Sequence, residues 1–585
     1  EAKALANVLQ TGALPVDFTV LEQRQISATL GKDSLRQAWI AAIGGLVAVA
    51  AFLLLFYRFL GLVAVLGLAI YVAFLYGAIL LLNVTMTLPG FAGMILTIGV
   101  AADSNVVIFE RIKEEVRAGK SVRAAIAAGY AKGFHTIVDA NVVTGITALV
   151  LFGVATSGVK GFALMLLVGT VLSLVTAVAA TRAMLGLLAG FTWFSNPRFM
   201  GAQGQQGAKW LQIDFMRRRN TWFAISGVIM VVGFGSLITR GLNLGIDFKS
   251  GTQLEFKTTK PHTVSDVEAV VKPFNFKDAP IQGLGAATNG NQYREFQIRT
   301  EALGVNKVVI NGKTVDDPRL AELKSGLQSK VNALQPQVTT VSSSFGQQIA
   351  NDALLAIFVS LTLIVAYIWM RFDLKFAGPV IAALLHDIVI TVGVYSVTGR
   401  VVTTATVAAV LTVLGYSIYD TIIIFDRVRE NIPLMRRASF ATLANVSLWE
   451  TIRRSLATTF ITLLPVGALF FFGGTTLKDF AFALLVGITS GAYSSIFIAA
   501  PLLTVWKERE PEYARRKAQE EEARRAAGSN GGTDALDDKA LEDAEQAAAD
   551  EPSPEPIAAL SPSPDSVRLE KRRQRRKSRP HGRPR

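Results

Sequence analysis

The chain has 585 residues, of which 51% are hydrophobic and 18% charged, and its mean hydropathy is +0.39. This composition excludes an ordinary soluble globular protein and indicates an integral membrane protein. The absence of cysteine excludes disulfides and thiolate metal sites. The formal net charge of +14 is concentrated at one end, because residues 568–585 contain ten Lys and Arg but one Glu.

Windows of about 18 or more predominantly apolar residues predict eleven membrane-spanning helices. The windows begin near residues 38, 60, 88, 136, 162, 222, 349, 375, 402, 455 and 479. Windows of this length exclude an outer-membrane barrel, whose strands are short and alternate in polarity. We therefore expect a polytopic α-helical membrane protein.

Two loops rich in Lys and Arg, after Phe109 and after Phe425, indicate the cytoplasmic side of the membrane. Counting helices from these loops places residues 1–37 and 242–348 outside and the C-terminus inside. A first residue that lies outside, with no Met or signal peptide before it, predicts an upstream segment with another spanning helix.

The polar stretches divide the predicted chain into seven parts. These are an extracytoplasmic segment (1–37), a five-helix membrane half (38–190), a cytoplasmic linker (191–221), a single helix (222–241), an extracytoplasmic domain (242–348), a second five-helix half (349–505) and a cytoplasmic tail (506–585). Strand-like and helical segments alternate in the outer domain, which predicts a small α+β domain of split βαβ, ferredoxin-like plan.

The tail is acidic and rich in Pro, Ser and Ala before its basic end, and we expect it to be disordered from about residue 511. A basic end beside a membrane is compatible with anionic lipid or ribosomal RNA as a partner, or with a solvated tail that has no fixed partner. The sequence predicts no specific nucleic-acid partner.

The chain contains an internal repeat. The segment "GVAADSNVVIFERIKEE" aligns with "GYSIYDTIIIFDRVREN" at an offset of 316 residues, so that Gly99 matches Gly415, and "KGFALMLLVG" aligns with "KDFAFALLVG" at an offset of 318. Both halves place the motif at the same membrane side, which predicts two parallel pseudo-repeats about an axis along the membrane normal. The acids break the symmetry, since Asp103 precedes Phe109 by six residues and Asp420 precedes Phe425 by five.

Carboxylates within apolar segments are the candidate functional groups. An ionised side chain at membrane depth costs at least about 2.5–3.5 kcal/mol, so such an Asp has a partner or exchanges a proton. We expect Asp103, Asp420 and the nearby Arg454 to couple proton movement, with Asp420 and Arg454 paired in one conformational state. Asp139 and Asp387 are secondary candidates, for which a structural role in capping or tying helices is the alternative.

No phosphate loop, zinc-ligand spacing or nucleophile motif is present in the sequence. We therefore predict that the protein is not an enzyme and carries neither a cofactor nor a metal ion. Ion flow rather than ATP is the expected energy source, and the residues leave open whether that ion is H⁺ or Na⁺.

These motifs resemble a known family. "GVAADSNVVIFERIKEE" resembles the signature helix of SecD, "LGIDFKSGTQLEF" and "GYSIYDTIIIFDRVREN" resemble two signatures of SecF, and "NVLQTGALPV" is similar to the SecD segment before its second spanning helix. Order and spacing agree over residues 1 to about 505. The chain thus resembles the C-terminal part of SecD, including the end of its outer head domain, joined to SecF as in the SecDF proteins of the resistance-nodulation-division superfamily.

The resemblance implies an accessory subunit of the Sec translocase, in the bacterial cytoplasmic membrane, that uses the proton motive force to promote preprotein export. It implies the SecYEG channel, the SecA motor ATPase, the YidC insertase, unfolded preprotein, the lipid bilayer and the missing N-terminal SecD segment as partners. Asp103, Asp420 and Arg454 fall on the family's membrane-embedded charges, and Asp139 on its "DAN" motif. Ser250 replaces a usual Gly and Tyr419 a usual Asn, and we expect the second change to alter the hydrogen bonding of Asp420.

Two alternatives remain open at this point. One is a small-molecule or lipid exporter of the same superfamily, driven by H⁺ or Na⁺, although the outer domain is short for that class. The other is a structural translocon partner in which the buried acids only pack helices.

Overall fold

The structure is a computed structural model that describes residues 21–25, 28–155, 157–195, 201, 213–276, 279–285, 287, 291–303, 307–310, 313–316 and 318–526. The predicted SecD-like motif at residues 7–16 and the chain beyond residue 526 lie outside the described residues. Most of the predicted linker 191–221 also lies outside them.

The first membrane half begins with an unusually long helical segment. Strand β1 (Glu22–Gln25) is followed by α1 (Ala28–Leu81), α2 (Leu88–Arg117), α3 (Val122–Val154), α4 (Ser157–Val175) and α5 (Arg182–Leu188). A straight helix as long as α1 would extend ~80 Å, far more than the ~30 Å hydrocarbon core. The chain breaks at Arg58, where φ is 51° and ψ is −117°, and one predicted apolar window lies on each side of this break.

The second half has a comparable order of helices. It comprises α6 (Arg219–Arg240), the outer domain, α10 (Ser343–Arg371), α11 (Leu374–Thr398), α12 (Thr404–Leu434), α13 (Phe440–Phe472), α14 (Gly474–Ser494), α15 (Ala500–Lys507) and α16 (Pro511–Ala526). Within the described residues, ten helices are long and apolar enough to cross a membrane, with α1 counted once. The chain is thus a predominantly helical multi-span protein, and the count of eleven spans stays a prediction.

Matching packing features occur in the two halves. Gly99 of α2 lies against Pro465 and Thr462 of α13, and Gly415 of α12 lies against Thr144 and Thr147 of α3. A π-helical turn follows α4 at Thr176–Thr181 and another follows α14 at Ser495–Ala499. Small residues at these crossings let the helix backbones approach closely, as is common between membrane helices.

The outer domain contains an antiparallel sheet covered by two helices. Its elements are β3 (Gly251–Thr263), α8 (Val264–Val271), β4 (Ile281–Leu284), β5 (Gln292–Thr300), a hairpin of β6 (Lys307–Ile310) and β7 (Lys313–Asp316), α9 (Arg319–Lys330) and β8 (Gln337–Val341). The sheet order is β1-β8-β3-β5-β4. Leaving out β1 and the hairpin, this is a β-α-β-β-α-β order of split βαβ type, with an apolar core between sheet and helices.

Strand β1 comes from the other end of the chain. It pairs antiparallel with β8, with Glu22 opposite Val341 and Gln25 opposite Val338, and Ser342 N donates to Leu21 O at 2.9 Å. The predicted outer segments 1–37 and 242–348 therefore share one sheet, which sequence patterning did not reveal because a four-residue polar strand has no distinctive periodicity.

The segment after α6 leads into the sheet through β2 (Asn243–Leu244), the short helix α7 (Ile246–Lys249) and a strained turn. Ser250 has φ 61° and ψ 168°, a conformation found almost only in glycine, and Gly251 follows with φ 131°. Such a residue costs about 1–3 kcal/mol when it carries a Cβ atom. This is the position where the resemblance implies a second glycine.

Replacing Ser250 by Gly is expected to stabilise the outer sheet by about 1 kcal/mol, because the relieved strain exceeds the added unfolded-state entropy. Hydrogen exchange of the β3 amides in the full chain measures this gain. Ser325→Gly, inside helix α9, is the control. It should weaken the hydrogen-exchange protection of the outer domain by about 0.5–1 kcal/mol, because glycine destabilises a helix interior. Unchanged or weaker β3 protection in Ser250→Gly would contradict the expectation.

The expectation of disorder from about residue 511 is wrong for 511–526, which form α16. Tyr513 is buried and its ring lies 5.0 Å from that of Phe440, while Glu520 accepts hydrogen bonds from Ser439 N at 2.9 Å and Thr442 Oγ1 at 2.7 Å. The segment is rich in good helix formers, and Glu520 caps the start of α13. The prediction failed because residues 511–526 are as polar and charged as the tail that follows them.

Candidate functional site

The two helices that carry the central acids are the most enclosed spans in the part of the chain that the structure describes. The apolar window of α2 is 94% buried and that of α12 is 83% buried, whereas the described remaining spans range from 11% to 61%. The small and apolar residues around Asp103 and Asp420 allow helices to pack on every side of them. Both carboxylates consequently lie inside the bundle rather than facing lipid.

Asp420 is held by hydroxyl groups of α13. Thr459 Oγ1 donates to Asp420 Oδ2 at 3.1 Å and Thr458 Oγ1 donates to Oδ1 at 3.4 Å. Hydroxyl groups can rotate to donate to a carboxylate or to accept from a carboxylic acid, so this environment tolerates both protonation states.

Asp103 has fewer partners. Its Oδ1 atom is buried with no hydrogen-bond partner among the described residues, and the hydroxyl group of Tyr419 faces the same carboxyl group. Asp420 is close enough to interact with Asp103 electrostatically. Tyr419, which stands where the resemblance implies Asn, was expected to affect Asp420. Its phenol group instead lies beside Asp103.

Arg454 lies near Asp103 and Asp420 but forms no ion pair with any of the described residues. Its side chain is buried, and Nε and Nη1 make no hydrogen bond in the part of the chain that the structure describes. The charged groups that interact most strongly with the Arg454 guanidinium group are Arg111, which repels it, and Glu114, which attracts it. The expected pairing of Arg454 with Asp420 stays a prediction for another conformational state.

A network of charges joins the two halves at the predicted cytoplasmic end. Arg111 donates to Glu430 through Nη2–Oε1 at 2.9 Å and Nη1–Oε2 at 3.1 Å, a bidentate pair between α2 and α12. Arg427 donates to Glu430 at 2.9 Å and to Glu450 at 2.5 Å. Sequence reasoning used Arg111, Arg427 and Glu430 only for orientation and alignment, although the recurrence of these charges in the two aligned segments was a usable signal; Glu450 was not considered.

The secondary candidates lie in separate hydrogen-bonded sites. Asp139 accepts from Tyr367 Oη at 2.8 Å and from Arg371 Nε at 2.6 Å, which connects α3 to α10. Asp387 is fully buried on α11, and its partners are His386 Nδ1 at 3.1 Å and three serine hydroxyls. Those hydroxyls belong to Ser417 at 2.5 Å, Ser490 at 2.6 Å and Ser494 at 2.7 Å. Both carboxylates are therefore well satisfied by neighbouring helices, in contrast to Asp103.

Fold and site together define a polytopic α-helical membrane protein whose two most buried helices carry carboxylates at a shared interface. The family described as "Protein export membrane protein SecD/SecF, C-terminal" matches residues 7–189 and 322–509, and the "SecD/SecF GG Motif" matches residues 235–261. The chain belongs to the SecD/SecF family of protein-export membrane proteins.

Fused proteins of this family are similar over most of the chain. The chain is 36% identical to the protein translocase subunit SecDF of Bacillus subtilis over 530 residues, which covers 87% of this chain and 69% of that protein. The SecDF subunit of Thermus thermophilus is 37% identical and matches 89% of this chain and 67% of its own length. The crystal structure of Thermus SecDF, a translocon-associated membrane protein, aligns with a TM-score of 0.77 at 35% identity and covers 87% of this chain and 67% of that one.

Proposed function

We propose that this chain serves the Sec translocase by coupling movement of protons across the membrane to export of unfolded preproteins. The carrying observation is the buried pair of acids on α2 and α12, one of them incompletely hydrogen-bonded, at the interface of the two halves. A buried carboxylate that exchanges a proton changes the charge of this interface, and each charge in the membrane field contributes about 2.3 kcal/mol per 100 mV.

In this proposal Asp103 and Asp420 exchange protons, and Arg454 compensates whichever carboxylate is ionised. The hydroxyl groups of Thr458, Thr459 and Tyr419 serve as donors and acceptors for the transfer. Asp139 and Asp387 hold α10 and α11 in place, and their part in proton movement is secondary.

The proposed setting is the bacterial cytoplasmic membrane, with eleven spans in two parallel pseudo-repeats and the C-terminus in the cytoplasm. The outer domain then faces the emerging preprotein, and SecYEG, SecA and YidC are the proposed partners. The division of the chain at residues 38, 191, 222, 242, 349 and 506 is part of this proposal. Similarity to named SecDF subunits favours protein export over small-molecule or lipid export.

The test is preprotein translocation into vesicles at constant SecA activity, with and without an imposed proton gradient. Asp420→Asn is expected to abolish the gradient-dependent increment and leave the ATP-driven part, because an amide cannot exchange the proton. Asp373→Asn, at an exposed carboxylate before α11, is the matched control and should retain the increment.

An increment that survives in both Asp420→Asn and Asp103→Asn would show that the acids only pack helices. A sodium gradient provides the second arm of the experiment. If it alone drives the increment, the coupling ion is Na⁺ and the proton proposal fails.

A further inference from the structure

Residues 241–250, the root segment, connect α6 to the first strand of the outer domain. Within it, β2 (Asn243–Leu244) pairs in parallel with β9 (Val401–Val402), which lies in the loop between α11 and α12. Gly245 N donates to Val402 O at 2.8 Å and Asn243 Nδ2 donates to Gly399 O at 2.9 Å. The root segment is therefore fixed against the loop that leads into α12.

One side chain extends this contact to the helix itself. The root segment contains the short helix α7 (Ile246–Lys249), and Asp247 Oδ2 accepts from Thr404 N at 2.9 Å and from Thr404 Oγ1 at 3.1 Å. Thr404 is the first residue of α12, where backbone N–H groups lack partners within the helix. A carboxylate is favoured at this end by the helix dipole, so the link combines two hydrogen bonds with charge attraction.

Both sides of this link lead directly to a larger element. Asp420 lies 16 residues beyond Thr404 on α12, about 24 Å along the same helix. On the other side, β3 begins at Gly251, immediately after α7 and Ser250, and it is the central strand of the outer sheet. No flexible linker separates Asp247 from either the buried acid's helix or the sheet.

The surroundings of α7 restrict its independent movement. A Cβ atom on Gly346 of α10 would lie 3.3 Å from Phe248 O and 3.4 Å from Asp247 O, so α10 packs directly on the α7 backbone. A Cβ atom on Gly251 would lie 2.3 Å from Thr300 O of β5, which shows how closely the start of β3 meets its neighbour. The close packing on both sides of α7 leaves little room for α7 and the start of β3 to move independently.

We propose that Asp247 is the positioning residue through which a displacement of α12 reaches the outer sheet. This inference rests on the proposed function, since it assigns the path by which a proton-dependent change at Asp420 moves the outer domain. Asp247 touches no reacting proton, and it acts only through the N-terminus of α12.

The absence of cysteine in the chain permits a direct test with an introduced pair. Leu82→Cys, after α1, and Lys330→Cys, at the end of α9, are both exposed and accept a fluorescent donor and acceptor. The labelled full chain in proteoliposomes then reports energy transfer between membrane part and outer domain, while a trapped pH-sensitive dye reports proton flux. An imposed proton gradient is expected to shift the energy transfer.

Asp247→Ala is expected to reduce this gradient-dependent shift by more than half while proton flux continues, because only the pairing of β2 with β9 then connects the root segment to α12. Asp247→Asn keeps one acceptor oxygen and should retain a reduced shift, and it replaces the Ala variant if that variant does not fold. The matched control is Asp266→Ala, in the first turn of α8, which removes a carboxylate that accepts from Thr263 N at 2.8 Å, wholly within the outer domain. In this control the proton gradient should change the energy transfer as much as in the parent.

A full shift in Asp247→Ala would overturn the inference. Equal loss of shift and flux would also overturn it, because Asp247 would then act in proton exchange itself. Gradient-driven flux without any shift in the parent would overturn the inference and leave proton coupling intact. If the parent shows no gradient-driven flux, the proposed function fails and the inference fails with it.

Discussion

Replacing Arg454 by Met is expected to abolish the proton-driven part of export and at the same time to stabilise the folded protein. Arg454 is buried, and two of its guanidinium nitrogens have no hydrogen-bond partner among the described residues. Arg111, a second cation, repels the Arg454 guanidinium group electrostatically. Replacing a buried ion pair by apolar side chains of similar volume is often neutral or stabilising by about 1–4 kcal/mol, whereas removing one partner of a formed pair is destabilising. We expect a gain of about 1–2 kcal/mol here, because Arg454 makes no ion pair among the described residues that its removal would break.

The two effects are measured on one preparation, by thermal unfolding in detergent and by gradient-dependent translocation in vesicles. Arg453→Met is the matched control, because Arg453 precedes Arg454 on α13 and is exposed. It should leave the gradient-dependent increment in place. Lower stability of Arg454→Met would mean that the guanidinium has compensating partners in the folded state, and a retained increment would remove Arg454 from the coupling site.

Replacing Gly129 by Val is expected to destabilise the first membrane half by about 3 kcal/mol or more, the upper range for overpacking. A Cβ atom on Gly129 of α3 would lie 2.5 Å from Ile112 Cγ1 and 2.9 Å from Ile112 N of α2. The second of these is a backbone atom, so a rotamer change cannot relieve the contact. The two helices must separate, and α2 carries Asp103.

Thermal unfolding and retention of a monodisperse peak in size-exclusion chromatography detect this loss. Gly145→Val on the same helix is the control, because no atom of another element in the described part of the chain lies within 4 Å of a Cβ atom at that position. It should be neutral or slightly stabilising, since Val has a better helix propensity than Gly. Equal behaviour of the two variants would show that the α2–α3 crossing has room to adjust.

The membrane class and most helices could be predicted from the sequence because apolar windows as long as these are rare outside membrane-spanning helices. The windows beginning near residues 38 and 60 predicted two spans on either side of Arg58, but the same reasoning could not place the helix ends or the backbone conformation of the break. Helix α16 was assigned to a disordered tail because its charge obscured the single buried ring of Tyr513.

For the candidate site, Asp103 and Asp420 could be selected individually because a carboxylate in an apolar span is costly. Their surroundings could not be predicted, because contacts between different helices depend on rotation and tilt. Tyr419 illustrates this limit: it is adjacent to Asp420 in sequence, yet its hydroxyl group faces Asp103. Asp247 likewise appeared only as part of a motif, and its bond to Thr404 spans 157 residues.

The four-residue ladder between β1 and β8 also has a consequence for assembly. Residues 22–25 and 338–341 are held in one molecule by the chain between them, so their pairing is intramolecular. If the same halves were separate polypeptides, this short strand would have to add to the sheet edge as an intermolecular contact, with the cost of lost translational freedom. The covalent connection replaces that cost by an effective local concentration. The joined chain therefore keeps both outer segments in a single sheet independently of how much protein the membrane contains.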